Sequence, residues 1–392
     1  VFRGIEVTRK VTTKAQEKQP VYRAATIRDL DALVALEEKS FATDRLTRRN
    51  FTWMIRKAHA FFMVVEIDGA LAGYTLLLFH KGTSLARMYS IAVDKAFRGA
   101  GLARELLTRS EAAAVDNDCV YLRLEVHPDN ARAIALYEEA GYFRFGLYKQ
   151  YYDDKSDALR YEKRVLFEAP GGTSLKVPYY SQTTPFTCGP SCLLMAMRSL
   201  EPSRAMDRTL ELQLWRESTT IFMMSGHGGC GPHGLALAAE RRGFAVQAYI
   251  SHKGPLFLNG VRSEEKKAVM RVVHEDFRKQ VQGSGIDVHY QPISMKKLEA
   301  ALEAGGIPLD LVSTYRFSSS KVPHWVVIVG MDERFVYIND PDADPAHMRT
   351  ATDNANLPVL KKQFERMASF GKNRLRACVI LSASASASRR QG

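Results

Sequence analysis

The sequence predicts an α/β domain with a mixed central sheet, followed by an α+β domain. Three observations divide the chain in two; the order of elements and the motifs then give each half its class. The chain has 392 residues, beyond the roughly 250–300 at which a single hydrophobic core stops growing. Its composition, 46% hydrophobic and 25% charged, is that of an ordinary globular protein and excludes a fibre, a disordered polymer or a small disulfide scaffold. Glu168–Ser174 (EAPGGTS) then supplies the small and breaking residues of a linker.

Residues 1–20 read as a flexible basic arm, 21–167 as the first domain, 168–174 as the linker and 175–381 as the second domain. Residues 382–392, with their Ser-Ala alternation, read as a disordered tail. In the first domain Ala60–Ile67 is a β-branched and aromatic run, and Asp68-Gly69 behind it signals a hairpin. Ala72–Phe79 makes the return strand and Leu85–Val93 another. A helix over Ala103–Val115, a strand at Tyr121–Val126 and a helix over Asn130–Ala140 follow. Phe143–Tyr152 and Ala158–Val165 close the sheet. A meander followed by β-α-β-α-β-β means a mixed sheet.

No apolar run reaches the ~18–20 residues of a spanning helix, and the basic N-terminus has no apolar segment behind it. The reading therefore expects neither membrane nor secretory signal. Five cysteines, an odd number on a long chain, fit a reducing, cytoplasmic compartment rather than a disulfide framework. The net charge of +12 is spread along the chain, whereas nucleic-acid binders concentrate it; no direct nucleic-acid contact is expected.

The first chemical feature is the loop Arg98-Gly-Ala-Gly-Leu-Ala103 between a strand and a helix. Glycines there let backbone N–H groups approach a phosphate, the helix N-terminus favours the anion, and Arg98 can add a charged donor. An ordinary strand–helix turn has the same wording. The neighbours narrow the choice: Tyr89–Asp94, this loop, Leu122–Asn130 (LRLEVHPDN) and Ala133–Tyr142 (AIALYEEAGY) occur in order.

Together they resemble the GNAT acetyltransferase superfamily, and within it the ribosomal-protein alanine N-acetyltransferases, over residues 21–165. The resemblance implies acetyl-CoA as co-substrate, its pyrophosphate held by the N–H groups of Gly99, Gly101 and Ala103 with Arg98. It implies pantetheine pairing with backbone groups of Ile91 and Val93, and a bond from Asn130 to the cofactor arm. Glu125 matches the general base and Tyr137 the general acid; a strand glutamate and a helix-face aromatic are the plainer alternatives. Tyr151 and Tyr152 match a pair lining the peptide slot. The chemistry agrees. An amine attacks as its neutral form, which an α-amino group of pKa ~7.7–8.0 reaches with little help near pH 7, whereas a lysine at ~10.4 needs far more. One carboxylate acting through water suffices for an N-terminus. The acceptor is thus a peptide or protein amine, with a ribosomal protein as one candidate.

The second domain carries Gln182-x5-Cys188-Gly-Pro190, with helical apolar spacing from Pro190. Cys188 is expected just ahead of a helix N-terminus, where the dipole favours a thiolate; a packed structural cysteine is the alternative. His324 opens an apolar strand, and Asp340 ends the next one. A hairpin would bring them together, Asp340 holding the imidazole that takes the thiol proton. Gln182 could then stabilise an oxyanion beside the Cys188 N–H. Gln, Cys, His and Asp in that order is the papain-like plan.

Ser181–Met197 and Pro323–Asp342 resemble the double-glycine, bacteriocin-processing cysteine peptidases. Those enzymes commonly carry an acid directly before the nucleophile, where this chain has Thr187, and many carry transporter spans absent here. The departure at Thr187 keeps open a non-catalytic, peptide-binding module. Cys192 reads as a packed helix residue. His227, Cys230 and His233 lie in a Gly-rich loop entering a helix rather than a metal site, so no metal is expected. Glu264–Lys279 is a basic amphipathic helix with a solvated face, and Gly171-Gly172 reads as linker rather than cleavage site. The expected activity is acetyl transfer to a peptide amine, joined in one chain to a Cys-His-Asp thiol peptidase.

Overall fold

A computed structural model describes residues 19–80, 82–166, 172–222, 227–313, 322–343, 354–371 and 373–384. The basic arm, most of the expected linker with Gly171, Gly226 and most of the Ser-Ala tail lie outside the described residues. By contacts the chain divides into two compact units. One gathers the chain to Leu78 with Met88–Ala113 and Arg123–Lys163; the other gathers Phe79–Arg87, Ala114–Leu122 and the chain from Arg164.

The first sheet contains β1 (Val21–Ala24), β2 (Ala60–Ile67), β3 (Ala70–Phe79), β4 (Leu85–Val93), β5 (Tyr121–Val126), β6 (Phe143–Tyr148) and β7 (Ala158–Arg164). Its helices are α1 (Leu30–Ser40), α2 (Arg48–Arg56), α3 (Leu102–Asp116) and α4 (Ala131–Glu139). The strand order is β1-β2-β3-β4-β5-β7-β6. The Asp68-Gly69 signal is a tight turn, both residues at positive φ (52° and 76°), as a two-residue hairpin with type I′ twist requires. β3 starts two residues earlier than its apolar run suggests, because Ala70 and Leu71 pair with Ile67 and Glu66 across that turn. At Gly73 an added Cβ would stand 2.7 Å from the Ala92 carbonyl oxygen, so only glycine lets β3 and β4 approach there. β6 stops at Tyr148; Tyr151 and Tyr152 lie in the following turn, where both backbone N–H groups donate to the Ser156 carbonyl.

The second sheet runs β10 (Asp287–His289), β9 (Ala245–Ile250), β15 (Ala377–Ser382), β11 (Ile307–Ser313), β12 (Pro323–Asp332), β13 (Phe335–Asn339), β14 (Leu357–Leu360). Residues 172–174, expected in the linker, instead form strand β8 (Gly172–Ser174), antiparallel to β12; pairing satisfies backbone groups that a linker would leave to water. The helices are α5 (Cys188–Leu200), α6 (Arg208–Ser218), α7 (Pro232–Glu240), α8 (Glu264–Gln282), α9 (Met295–Glu303) and α10 (Lys361–Met367).

This sheet is covered on both faces, and the strand period of two sorts its residues. Leu309, Leu311, Trp325, Val327 and Val379 join the core packed with α5 and α7. Val312, Val326, Ile328 and Ile380 join the core packed with α9 and α10. Trp325, fully buried, donates its indole N–H to the Cys230 carbonyl at 3.0 Å, which ties β12 to the segment leading into α7.

Candidate active sites

In the first unit, β4 delivers the chain to Arg98–Gly101, and α3 begins at Leu102. Gly99 and Gly101 take φ of +86° and +75°, and no atom lies within 4 Å of where their side chains would be. Residues 98–101 are exposed. The result is an open turn of left-handed residues before a fifteen-residue helix, whose first N–H groups have no partner within the helix. That donor set fits the diphosphate of acetyl-CoA. Arg98 turns its Nε back onto the Val93 carbonyl at 3.3 Å. Asn130 caps α4, its Oδ1 accepting from the Ala133 N–H at 3.2 Å; a contact to a cofactor arm falls to its Nδ2.

Glu125 is half-buried on β5, and Tyr137 is buried on α4. Burial pushes the Tyr137 phenol upward, which keeps its proton in place. Tyr152 ties the group together: its phenol is raised by burial first, then by Tyr151, Glu125, Asp44 and Tyr137. Its ring lies 5.0 Å from that of Tyr151 and 5.2 Å from His127. Sequence reasoning gave no role to Asp44, or to His127 within the LRLEVHPDN run.

In the second unit the register of β12 with β13 sets Asn339 opposite Val327. It brings His324, at the start of one strand, beside Asp340, just past the end of the other. His324 Nε2 lies 2.6 Å from Asp340 Oδ1, both residues buried. That oxygen also accepts the Asp342 N–H at 2.9 Å. Asp340 and Cys188 both act electrostatically on the imidazole. With Nε2 committed to the carboxylate, Nδ1 is the ring nitrogen left for another partner. Burial alone would lower the imidazole pKa, but Asp340 and then Cys188 outweigh it and hold it well above the ordinary histidine range.

α5 begins at Cys188, two residues earlier than the apolar spacing indicates. Pro190 falls in its first turn, where no N–H is needed, so the nucleophile candidate sits inside the helix start rather than ahead of it. Residues 177–382 match the Peptidase_C39 like family, and residues 26–142 match the Acetyltransferase (GNAT) family. The chain belongs to both families.

An uncharacterized N-acetyltransferase of Methanocaldococcus jannaschii is 32% identical over 140 residues, which is 36% of this chain and 88% of the relative. A putative ribosomal protein bS18-alanine N-acetyltransferase of Bacillus subtilis is 29% identical over 138 residues, 35% of this chain and 90% of the relative. The ribosomal-protein-S18-alanine N-acetyltransferase structure from Escherichia coli has 23% identity and a TM-score of 0.36, covering 39% of this chain and 98% of its own.

Within the Peptidase_C39 like domain, the loop before Cys188 is held from two sides. Gln182 donates its backbone N–H to the Pro341 carbonyl at 2.9 Å and its Nε2 to Asp342 Oδ1 at 3.3 Å. The side-chain amide expected at an oxyanion is thus docked on the Asp342 carboxylate, close to the Asp340 turn. The Tyr179 hydroxyl donates to the Asp340 carbonyl at 2.9 Å. Thr187, buried, sends its hydroxyl to the carboxylate of Glu211 on α6, a residue sequence reasoning missed because it lies 24 positions away on a helix of ordinary polarity.

The remaining cysteines are buried thiols. Burial pushes Cys119 up to about 12 and holds Cys192, Cys230 and Cys378 well above the usual range. The Gly-rich segment enters a helix, α7, with Gly231 at its N-cap. His227 packs its ring against Phe186 at 4.8 Å, and among the described residues no group of three or more His, Cys, Asp or Glu could hold a metal. α8 buries only Met270 and Val281, as a helix with a solvated face does.

Proposed function

We propose that the chain is bifunctional, with an acetyltransferase domain at 21–167 that modifies peptide or protein N-termini and a cysteine peptidase domain at 175–381. In the first, acetyl-CoA supplies the acetyl thioester. The N–H groups of Gly99, Gly101 and Ala103 hold its diphosphate with Arg98, and Ile91, Val93 and Asn130 bind the pantetheine arm. Glu125 takes a proton from the incoming ammonium through water, and Tyr137 gives its proton to the departing thiolate. The bS18-alanine relative supports ribosomal-protein N-termini as acceptors, and membership of the acetyltransferase family supports the reaction type.

In the second domain Cys188 attacks a peptide carbonyl as the thiolate paired with the His324 imidazolium. Asp340 holds that ring through Nε2, and the Cys188 N–H with Gln182 receives the oxyanion. The observation that carries this reading is the buried His324–Asp340 contact of 2.6 Å, with Cys188 acting on the same ring. Fusion of the two domains fits sequential action, in which cleavage exposes an amine that is then acetylated.

The rival reading, a peptide-binding module without catalysis, draws on the Gln182–Asp342 bond, which occupies the oxyanion donor. Iodoacetamide at pH 6 separates the two. An active site labels once, at Cys188, well below the ordinary thiol pKa of about 8.5; a binding module stays unlabelled. Incubation with acetyl-CoA and a peptide library, followed by mass spectrometry, reads acetyl gain and peptide shortening together. Shortened peptides that are no better acceptors than intact ones rule out the sequential scheme.

A further inference from the structure

We infer that Glu211 is a positioning residue for the nucleophile and for the oxyanion donors, an inference that rests on the peptidase reading. Glu211 is fully buried on α6. Removing a carboxylate from water is costly, and here five donors offset it. Oε1 accepts from the Thr183 N–H at 2.9 Å, from the Thr187 hydroxyl and from the Ser191 hydroxyl at 3.4 Å. Oε2 accepts from the Thr183 hydroxyl at 2.8 Å and the Tyr180 hydroxyl at 2.9 Å.

All five donors lie between residues 180 and 191, the segment holding Gln182 and Cys188. Thr183 follows the one and Thr187 precedes the other, so a single carboxylate spans both and fixes their separation. Oxyanion donors act over about 2.7–3.1 Å, and a shift of about 1 Å in a reacting group costs on the order of 100-fold in rate. The arrangement also accounts for Thr187. No acid precedes the nucleophile in sequence, but the Thr187 hydroxyl reaches one supplied by α6. The Thr187 side chain, bonded to Glu211 and Thr184, does not cap α5.

The test measures the rate constant for Cys188 alkylation by iodoacetamide from pH 5 to 9, per folded molecule, in Glu211→Ala, Glu211→Gln and Thr187→Val full-length proteins. Circular dichroism reports folding. Glu211→Ala is expected to slow alkylation at pH 6 by about tenfold or more and to displace its pH profile. Glu211→Gln keeps an oxygen for Thr183, Thr187 and Ser191, and is expected to stay within about threefold of the parent. If the Ala protein does not fold, Thr187→Val decides, with slowing of about threefold or more expected. Parent-like rates in folded Glu211→Ala, or in Thr187→Val where the former does not fold, overturn the inference, as does a Gln variant as slow as Ala. A parent protein inert at pH 6 overturns the peptidase reading instead.

Discussion

Asp310 shows what one side chain does to stability. It is buried on β11, its Oδ2 lacks a hydrogen-bond partner, and burial pushes its carboxyl up to about 7 against the lowering effect of Arg376 and the Leu311 amide. The folded chain keeps this proton to about pH 7, whereas an unfolded aspartate loses it near 3.9. Stability therefore falls as pH rises from about 4 and levels off above 7. Asp310→Asn removes that cost. The variant is expected to be more stable at pH 8 by about 2–4 kcal/mol, with the gain vanishing near pH 4; urea denaturation at the two pH values checks it. The residues of the two sites were legible where chemistry imposes a pattern: Cys188 before Gly-Pro, His324 opening an apolar strand, Asp340 closing the next. Glu211 was not, because a buried carboxylate looks like a surface one until distant donors are seen around it.

Elements with a clear period emerged within a residue or two of their predicted limits: Ala60–Ile67, Leu85–Val93 and Tyr121–Val126 match in full. β8 escaped, since three residues beside two glycines carry no period and gain their form from β12. α5 began early because proline in a first turn hides the true start. Helix contacts depend on similarly small features. A Cβ at Gly234 of α7 would lie 2.5 Å from the Ser218 carbonyl oxygen and 2.8 Å from its Cα, both backbone atoms at the end of α6. Gly234→Ala must therefore push α7 from α6. A loss of about 2 kcal/mol or more is expected, read as a lower melting temperature, together with slower Cys188 alkylation because α6 carries Glu211.

For the whole molecule, the two proposed chemistries draw on separate residue sets, Glu125 on β5 of the first sheet and His324 on β12 of the second. Cys188→Ala is expected to retain acetyl transfer within about twofold, and Glu125→Gln to retain Cys188 alkylation within the same range while losing acetyl transfer by about 100-fold. Paired assays on one preparation of each variant check this. If Cys188→Ala abolished acetyl transfer, the division of labour would be wrong. The presence of two domains was legible from length, but the grouping of Phe79–Arg87 and Ala114–Leu122 with the second unit was not, since contacts between distant segments leave no local trace.

The doubly covered second sheet has a kinetic corollary. Strands β11, β12 and β15 bury side chains on both faces, and such strands open to hydrogen exchange only with the whole domain. His324 belongs to one of them and Asp340 directly follows its neighbour β13. On warming, the imidazole–carboxylate pair should therefore endure until the final cooperative melting. Thermal inactivation of the thiol chemistry would then coincide with loss of the slowest-exchanging amides instead of preceding it.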